Sequence, residues 1–101
     1  MKTIEWQYRG CACELVQRHL RGTGDYWCGY ATIPHQLTRE EIEEVDVHGG
    51  VTYYAGSPDG SAECGFDCAH LGDVGRPTCQ SEEWLRGQCE QMVDSVLEIA
   101  G

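Results

Sequence analysis

"SEEWLRGQCEQMVDSVLEI", Ser81 to Ile99, is the stretch that decides the fold. Trp84, Leu85, Cys89, Met92, Val93, Val96 and Leu97 recur three and four residues apart. That period predicts an amphipathic helix with a single apolar stripe. Ser81 stands where an N-cap is needed, and Glu82 and Glu83 suit the positive end of the helix dipole. A one-sided helix has to lay its stripe on another apolar layer.

The residues upstream supply that layer. In "TIEWQYR" (3–9), Ile4, Trp6 and Tyr8 alternate with polar residues, the period of a half-buried strand. "CACELVQRHL" (11–20) and "YWCGYATI" (26–33) read as strands joined by a glycine-rich turn around Gly22–Asp25. Pro34 stops the third strand. Thr38 with Glu41 forms a capping-box signature for a short acidic helix, "TREEIEEV", ending near Val45. A strand over Val51–Ala55 is entered through Gly49 and Gly50, and "SPDGS" (57–61) is a turn. "AECGFDCAH" (62–70) reads as a further strand ending in the loop "LGDVGRPTCQ" (71–80). The expected fold is α+β in one domain, 1–101. It has an antiparallel sheet of about four to five strands, a short acidic helix and a long C-terminal amphipathic helix.

Charge narrows the function. The chain has 17 acidic and 7 basic residues, a formal net charge of −10, with Lys2 as its single lysine. Direct nucleic-acid binding through phosphates needs clustered Lys and Arg, which this chain does not have. A basic partner suits it, such as a nucleic-acid-binding protein. No apolar run reaches the roughly 18 residues of a membrane span. "MKTIEWQYRG" has neither the apolar core nor the cleavage site of a signal peptide, so a cytoplasmic setting is expected. Most of the 7 cysteines are then expected as free thiols that fill space as small hydrophobes.

The acidic helix is the first candidate surface. Glu40, Glu41, Glu43, Glu44 and Asp46 fall close together, and residues three and four apart neighbour one another on a helix. Such rows of carboxylates can imitate the phosphates of a nucleic-acid strand. Asp59, Glu63, Glu82 and Glu83 extend the set. The plainer reading is a solvated helix face.

The second candidate is "CGFDCAHLGD", Cys64 to Asp73. Cys64, Cys68 and His70 are soft ligands of the kind zinc takes, and Cys11 and Cys13 could supply more. Their spacing lacks the paired knuckles of common zinc sites, and no cofactor is expected. His48, Asp67, His70 and Asp73 could instead serve a hydrolytic metal or hold a phosphorylated small molecule. Without such a ligand, aspartate and glycine explain the turn by backbone bonding alone. "HGG" (48–50) is too short a glycine run to mark a phosphate loop. A cysteine nucleophile would need His48 or His70 close by, and no nucleophile motif accompanies any thiol.

Three motifs together carry a resemblance. "CGYATIP" (28–34), "VDVHGGVTYYAG" (45–56) and "GFDCAHLGD" (65–73) stand in the order found in a family of small phage and prophage proteins. That family carries a pattern like C-G-Y-V-G-V-P, then D-V-H-G-G-L-T-Y, then G-F-D-C-A-H-x-G-D. The resemblance spans roughly residues 11–100, although the "SPDGSAE" turn is shorter than the loops of relatives. It implies a part in the contest between phage and host, as an inhibitor of bacterial defence of the anti-CRISPR type. It also implies that "GFDCAHLGD" lies beside "HGG", which would bring His48, Asp67, His70 and Asp73 together. The expected function is therefore a non-catalytic acidic inhibitor that binds a basic, nucleic-acid-binding CRISPR effector subunit, as a DNA mimic. The alternative is a ligand-binding or hydrolytic protein built on the histidine–aspartate cluster.

Overall fold

A computed structural model describes residues 2–22, 24–69, 73 and 76–101. The elements run β1 (Thr3–Tyr8), β2 (Cys11–Leu20), β3 (Gly24–Ile33), α1 (Arg39–Glu44), β4 (Tyr53–Gly56), β5 (Ala62–Asp67), a 3₁₀ turn (Pro77–Gln80) and α2 (Glu82–Ala100). The strands form one five-stranded sheet in the order β1-β2-β3-β5-β4, with every pairing antiparallel. The fold is α+β, as the periodicities predict.

β1 and β2 join through Arg9 and Gly10, both at positive φ (51° and 78°). Two left-handed residues match the strand twist in a tight hairpin. This turn escaped the sequence reading because arginine rarely signals one. β2 and β3 close at Leu20 opposite Gly24, slightly earlier than the expected Gly22–Asp25. β4 starts at Tyr53 rather than Val51, because Gly49 and Gly50, both at positive φ (70° and 77°), complete a turn in which the Gly50 N–H donates to the Val47 carbonyl at 2.9 Å. β5 stops at Asp67 instead of continuing. There the Asp67 carboxylate accepts from the Ala69 N–H at 3.0 Å, which turns the chain away.

The tripeptides Cys28-Gly29-Tyr30 and Cys64-Gly65-Phe66 pair with each other across β3 and β5. Gly29 lies opposite Phe66, and Tyr30 lies opposite Gly65. Each aromatic ring covers the other strand's glycine, one pair on each face of the sheet. Glycine is required because a side chain would occupy the ring's place. The "CGY" and "CGF" motifs are thereby explained by packing.

One face of the sheet presents Cys13, Leu15, Ala31, Ile33, Ala62, Cys64 and Phe66 to α2, all buried. From α2, Leu85, Cys89, Met92, Val93 and Val96 fill the layer between. Polar bonds fix both flanks of the helix. On one side the Trp6 Nε1–H donates to Glu90 and the Tyr8 hydroxyl to Asp94, each at 3.0 Å. On the other the Asp46 N–H donates to Ser95 Oγ and the His48 N–H to Gln88 Oε1, each at 2.9 Å. The strap 45–50 is thus laid against α2, with Val45 and Val47 pointing into the core. Among the described residues, no helix is long and apolar enough to cross a membrane.

Candidate functional site

Two groups of side chains stand out, one within the core margin and one on the open face of the sheet.

The inner group is His48, Cys68, Asp73 and Cys79, whose potential ligand atoms all lie within 4.8 Å of one another. Each comes from a different local setting. His48 ends the strap, just before the Gly49–Gly50 turn, and its ring stands edge-on to Trp84 at 5.2 Å. Cys68 follows β5, with its N–H still donating to the Trp27 carbonyl at 3.0 Å. Cys79 sits in the 3₁₀ turn that leads into α2. Asp73 is the single buried charged residue among those described, 4% exposed. Its Oδ1 lies 2.9 Å from His48 Nε2, and Cys79 Sγ lies 4.0 Å from the same nitrogen.

Burial pushes the Cys68 thiol strongly up, and the neighbouring Cys79 and the carboxylates of Asp73 and Asp67 add to it. Burial also pushes Cys79 up, with the hydrogen bond from Cys68 offsetting part of the shift. A reactive thiol needs the opposite environment. Among the described residues, Asp73 and Cys79 face the same imidazole nitrogen. In a nucleophile–base–acid triad they would face different ones.

This group differs from both sequence expectations. Of the described members of the zinc set, Cys64 and Cys68, Cys68 belongs to it. Cys64 is fully buried between the sheet and α2, pushed up to about 11 by burial. It lies within β5, three strand residues, roughly 10 Å, before the strand ends at Asp67. Cys11 and Cys13 lie on β2 in the same core. Of the set His48, Asp67, His70 and Asp73, the structure brings together His48 and Asp73. Asp67 pairs with Cys28, in register with the open face, and bonds the turn at Ala69. His70 lies outside the described residues. Cys79 was missed because its partners His48, Cys68 and Asp73 are 31, 11 and 6 residues away in sequence, and no motif spacing marks it.

The outer group occupies the sheet face opposite α2. Glu5 on β1 pairs directly with Glu14 on β2, and Glu14 pairs with Tyr30 on β3. Glu63 on β5 shares this face, beside Thr32. These side chains line an open trough of about 440 Å³. The Glu14 carboxyl is raised, first by burial and then by the charges of Glu5 and Glu63, with Arg18 opposing. Arg18 Nη2 donates to the Tyr30 hydroxyl at 3.1 Å, and Tyr53 meets Tyr30 edge-on at 5.7 Å. Among the described residues, Tyr53 is the most exposed large apolar side chain, at 45%.

Of the acidic residues singled out in sequence, Glu63 is the one that lines this trough. Glu40, Glu43, Glu44 and Asp46 are exposed on and after α1, and Glu83 is exposed at the start of α2. Glu41 is engaged as the return half of the capping box, its Oε1 accepting from the Thr38 N–H at 2.8 Å. Asp59 accepts from Ser61, and Glu82 lies 3.9 Å from Arg86. Glu5 and Glu14 were overlooked because each stands alone between apolar neighbours in its strand. The alternation Ile4-Glu5-Trp6 and Cys13-Glu14-Leu15 is the signal that places both on the outer face.

No protein-family model, curated protein or solved structure matches this chain.

Proposed function

We propose that this protein is a small acidic inhibitor of bacterial defence, of the anti-CRISPR type. It binds a basic, nucleic-acid-binding surface of an effector complex and catalyses no reaction. The observation that carries this reading is the convergence of Glu5, Glu14 and Glu63 on the open face of the sheet. Like charges placed directly opposite each other in a sheet destabilise it. Here burial first, and then repulsion from Glu5 and Glu63, raises the Glu14 carboxyl. A basic partner would relieve that repulsion, so the arrangement suits a bound state better than the free one. Tyr30 and Tyr53, amphipathic and already ordered against each other, are suited to the centre of an interface. The carboxylates of α1 add to a field that favours encounter with a cationic surface. The resemblance to small phage and prophage proteins supplies the class of target, with the acidic face standing in for DNA.

The test is binding of the purified protein to immobilised CRISPR effector complexes at several salt concentrations. Binding that weakens steeply with salt, and that Glu5→Gln, Glu14→Gln and Glu63→Gln together abolish, supports the reading. Binding unchanged between low and high salt, or no binding to any such complex, contradicts it.

A further inference from the structure

We propose that His48, Cys68, Asp73 and Cys79 form a binding site for a zinc-class divalent ion. The donor set is one imidazole nitrogen, two sulfurs and one carboxylate oxygen, which together satisfy a tetrahedral ion. Two sulfurs select a soft or borderline ion over magnesium or calcium.

Ligand bonds of about 2.0–2.3 Å place tetrahedral donor atoms roughly 3.3–3.8 Å apart. The four donors already lie within 4.8 Å of one another, so closure asks for side-chain movements of about an ångström. His48 Nε2 is the atom that faces both Asp73 and Cys79, so the imidazole is aimed inward. On binding, the ion takes the position now bridged by the His48–Asp73 contact. Each thiol releases one proton to solvent. The proton between His48 Nε2 and Asp73 leaves that nitrogen, with the neutral imidazole keeping its N–H at Nδ1. Bonds to two sulfurs, one nitrogen and one oxygen replace the ion's bonds to its own waters.

Burial decides the type of site. Cys68, Asp73 and Cys79 are 5%, 4% and 1% exposed, and His48 is half-buried. Four protein ligands in a buried setting make a closed site, which is the structural kind. The connection from β5 to α2 contains, among its described residues, one 3₁₀ turn and no strand or α-helix. The ion would join this connection to the strap 45–50 and so fasten the α2 N-terminus. In a domain of 101 residues such a staple adds to a modest core. This inference stands independently of what the acidic face binds.

The experiment is titration of the full chain, purified under reducing conditions, with Co²⁺ as the probe, followed by Zn²⁺ displacement. The expected result is saturation at one equivalent. It should show the intense visible bands of a tetrahedral site and a thiolate charge-transfer band, both lost on adding zinc. Asp73→Asn should weaken Co²⁺ affinity at least about tenfold, since even outer-shell losses cost 10–100-fold. Cys68→Ser and Cys79→Ser should each reduce the charge-transfer band, while Cys28→Ser, outside the group, leaves it intact. If the serine variants fail to fold, the stoichiometry and bands of the unaltered protein decide. Absence of a thiolate band, an unchanged titration in the Cys68→Ser/Cys79→Ser double variant, or a Cys68–Cys79 disulfide in the reduced protein's peptide map would overturn the proposal.

Discussion

Gly29 faces Phe66 across the β3–β5 ladder, and a Cβ on Gly29 would lie 2.6 Å from Cζ of the Phe66 ring. Phe66 is 1% exposed and packed into the core beneath α2, so its ring has no free space to turn into. Gly29→Ala is expected to destabilise the fold by about 1–3 kcal/mol, the range for overpacking. Gly65→Ala should act similarly from the other face, where its Cβ would meet Tyr30 Cδ1 at 2.7 Å. Denaturant unfolding of both variants checks this. Wild-type stability in either would show that the rings are not fixed as described.

Glu14 gives a pH-dependent expectation. Its carboxyl is raised in the folded state, so the folded protein holds that proton more tightly than the unfolded chain. The cost, from burial first and then from the Glu5 and Glu63 charges, is absent below the unfolded value, about 4.3, grows as pH rises from there to the folded value, and is complete above it. Glu14→Gln should therefore stabilise the protein at pH 7 by about 0.2–1 kcal/mol, the range for a cross-strand pair, and give no gain below about pH 4. Added salt should shrink the gain. Thermal unfolding across pH measures it, and a loss of stability at neutral pH would contradict the assignment.

Thr38 and Glu41 close the capping box of a helix of only six residues. Thr38→Ala is expected to cost about 1 kcal/mol, and Thr38→Ser much less. Because Glu41 serves the cap, Glu41→Gln should leave partner binding almost unchanged, whereas Glu14→Gln weakens it. Comparing stability and binding for these two glutamates separates structural from functional acidity.

Much of this architecture is legible in the chain. The stripe from Leu85 to Val96, the Ser81 cap, the Thr38–Glu41 box and the alternation in β1 follow from local periods and local bonding. Strand order is different in kind. That β5 enters between β3 and β4 depends on Phe66 and Tyr30 each finding a glycine across the ladder, matches between residues 37 and 35 apart. Both side-chain groups inherit that non-locality. Glu63 joins Glu5 and Glu14 only through the strand order, and Cys79 reaches Cys68 only because the chain returns to start α2. Adjacent motifs such as "CGFDC" draw attention to Cys64, yet the side-chain alternation and strand length commit that thiol to the core.

Under the proposed function, the open acidic face takes the place of DNA on a basic effector surface. The most direct test is fluorescence anisotropy of labelled target DNA bound to a purified CRISPR effector complex, titrated with this protein at about 50 and about 200 mM salt. The account predicts displacement of the DNA at low salt, much weaker displacement at high salt, and none by the Glu5→Gln/Glu14→Gln/Glu63→Gln variant. DNA that stays bound at every concentration, or a triple variant that displaces it as well as the unaltered protein, would contradict the account.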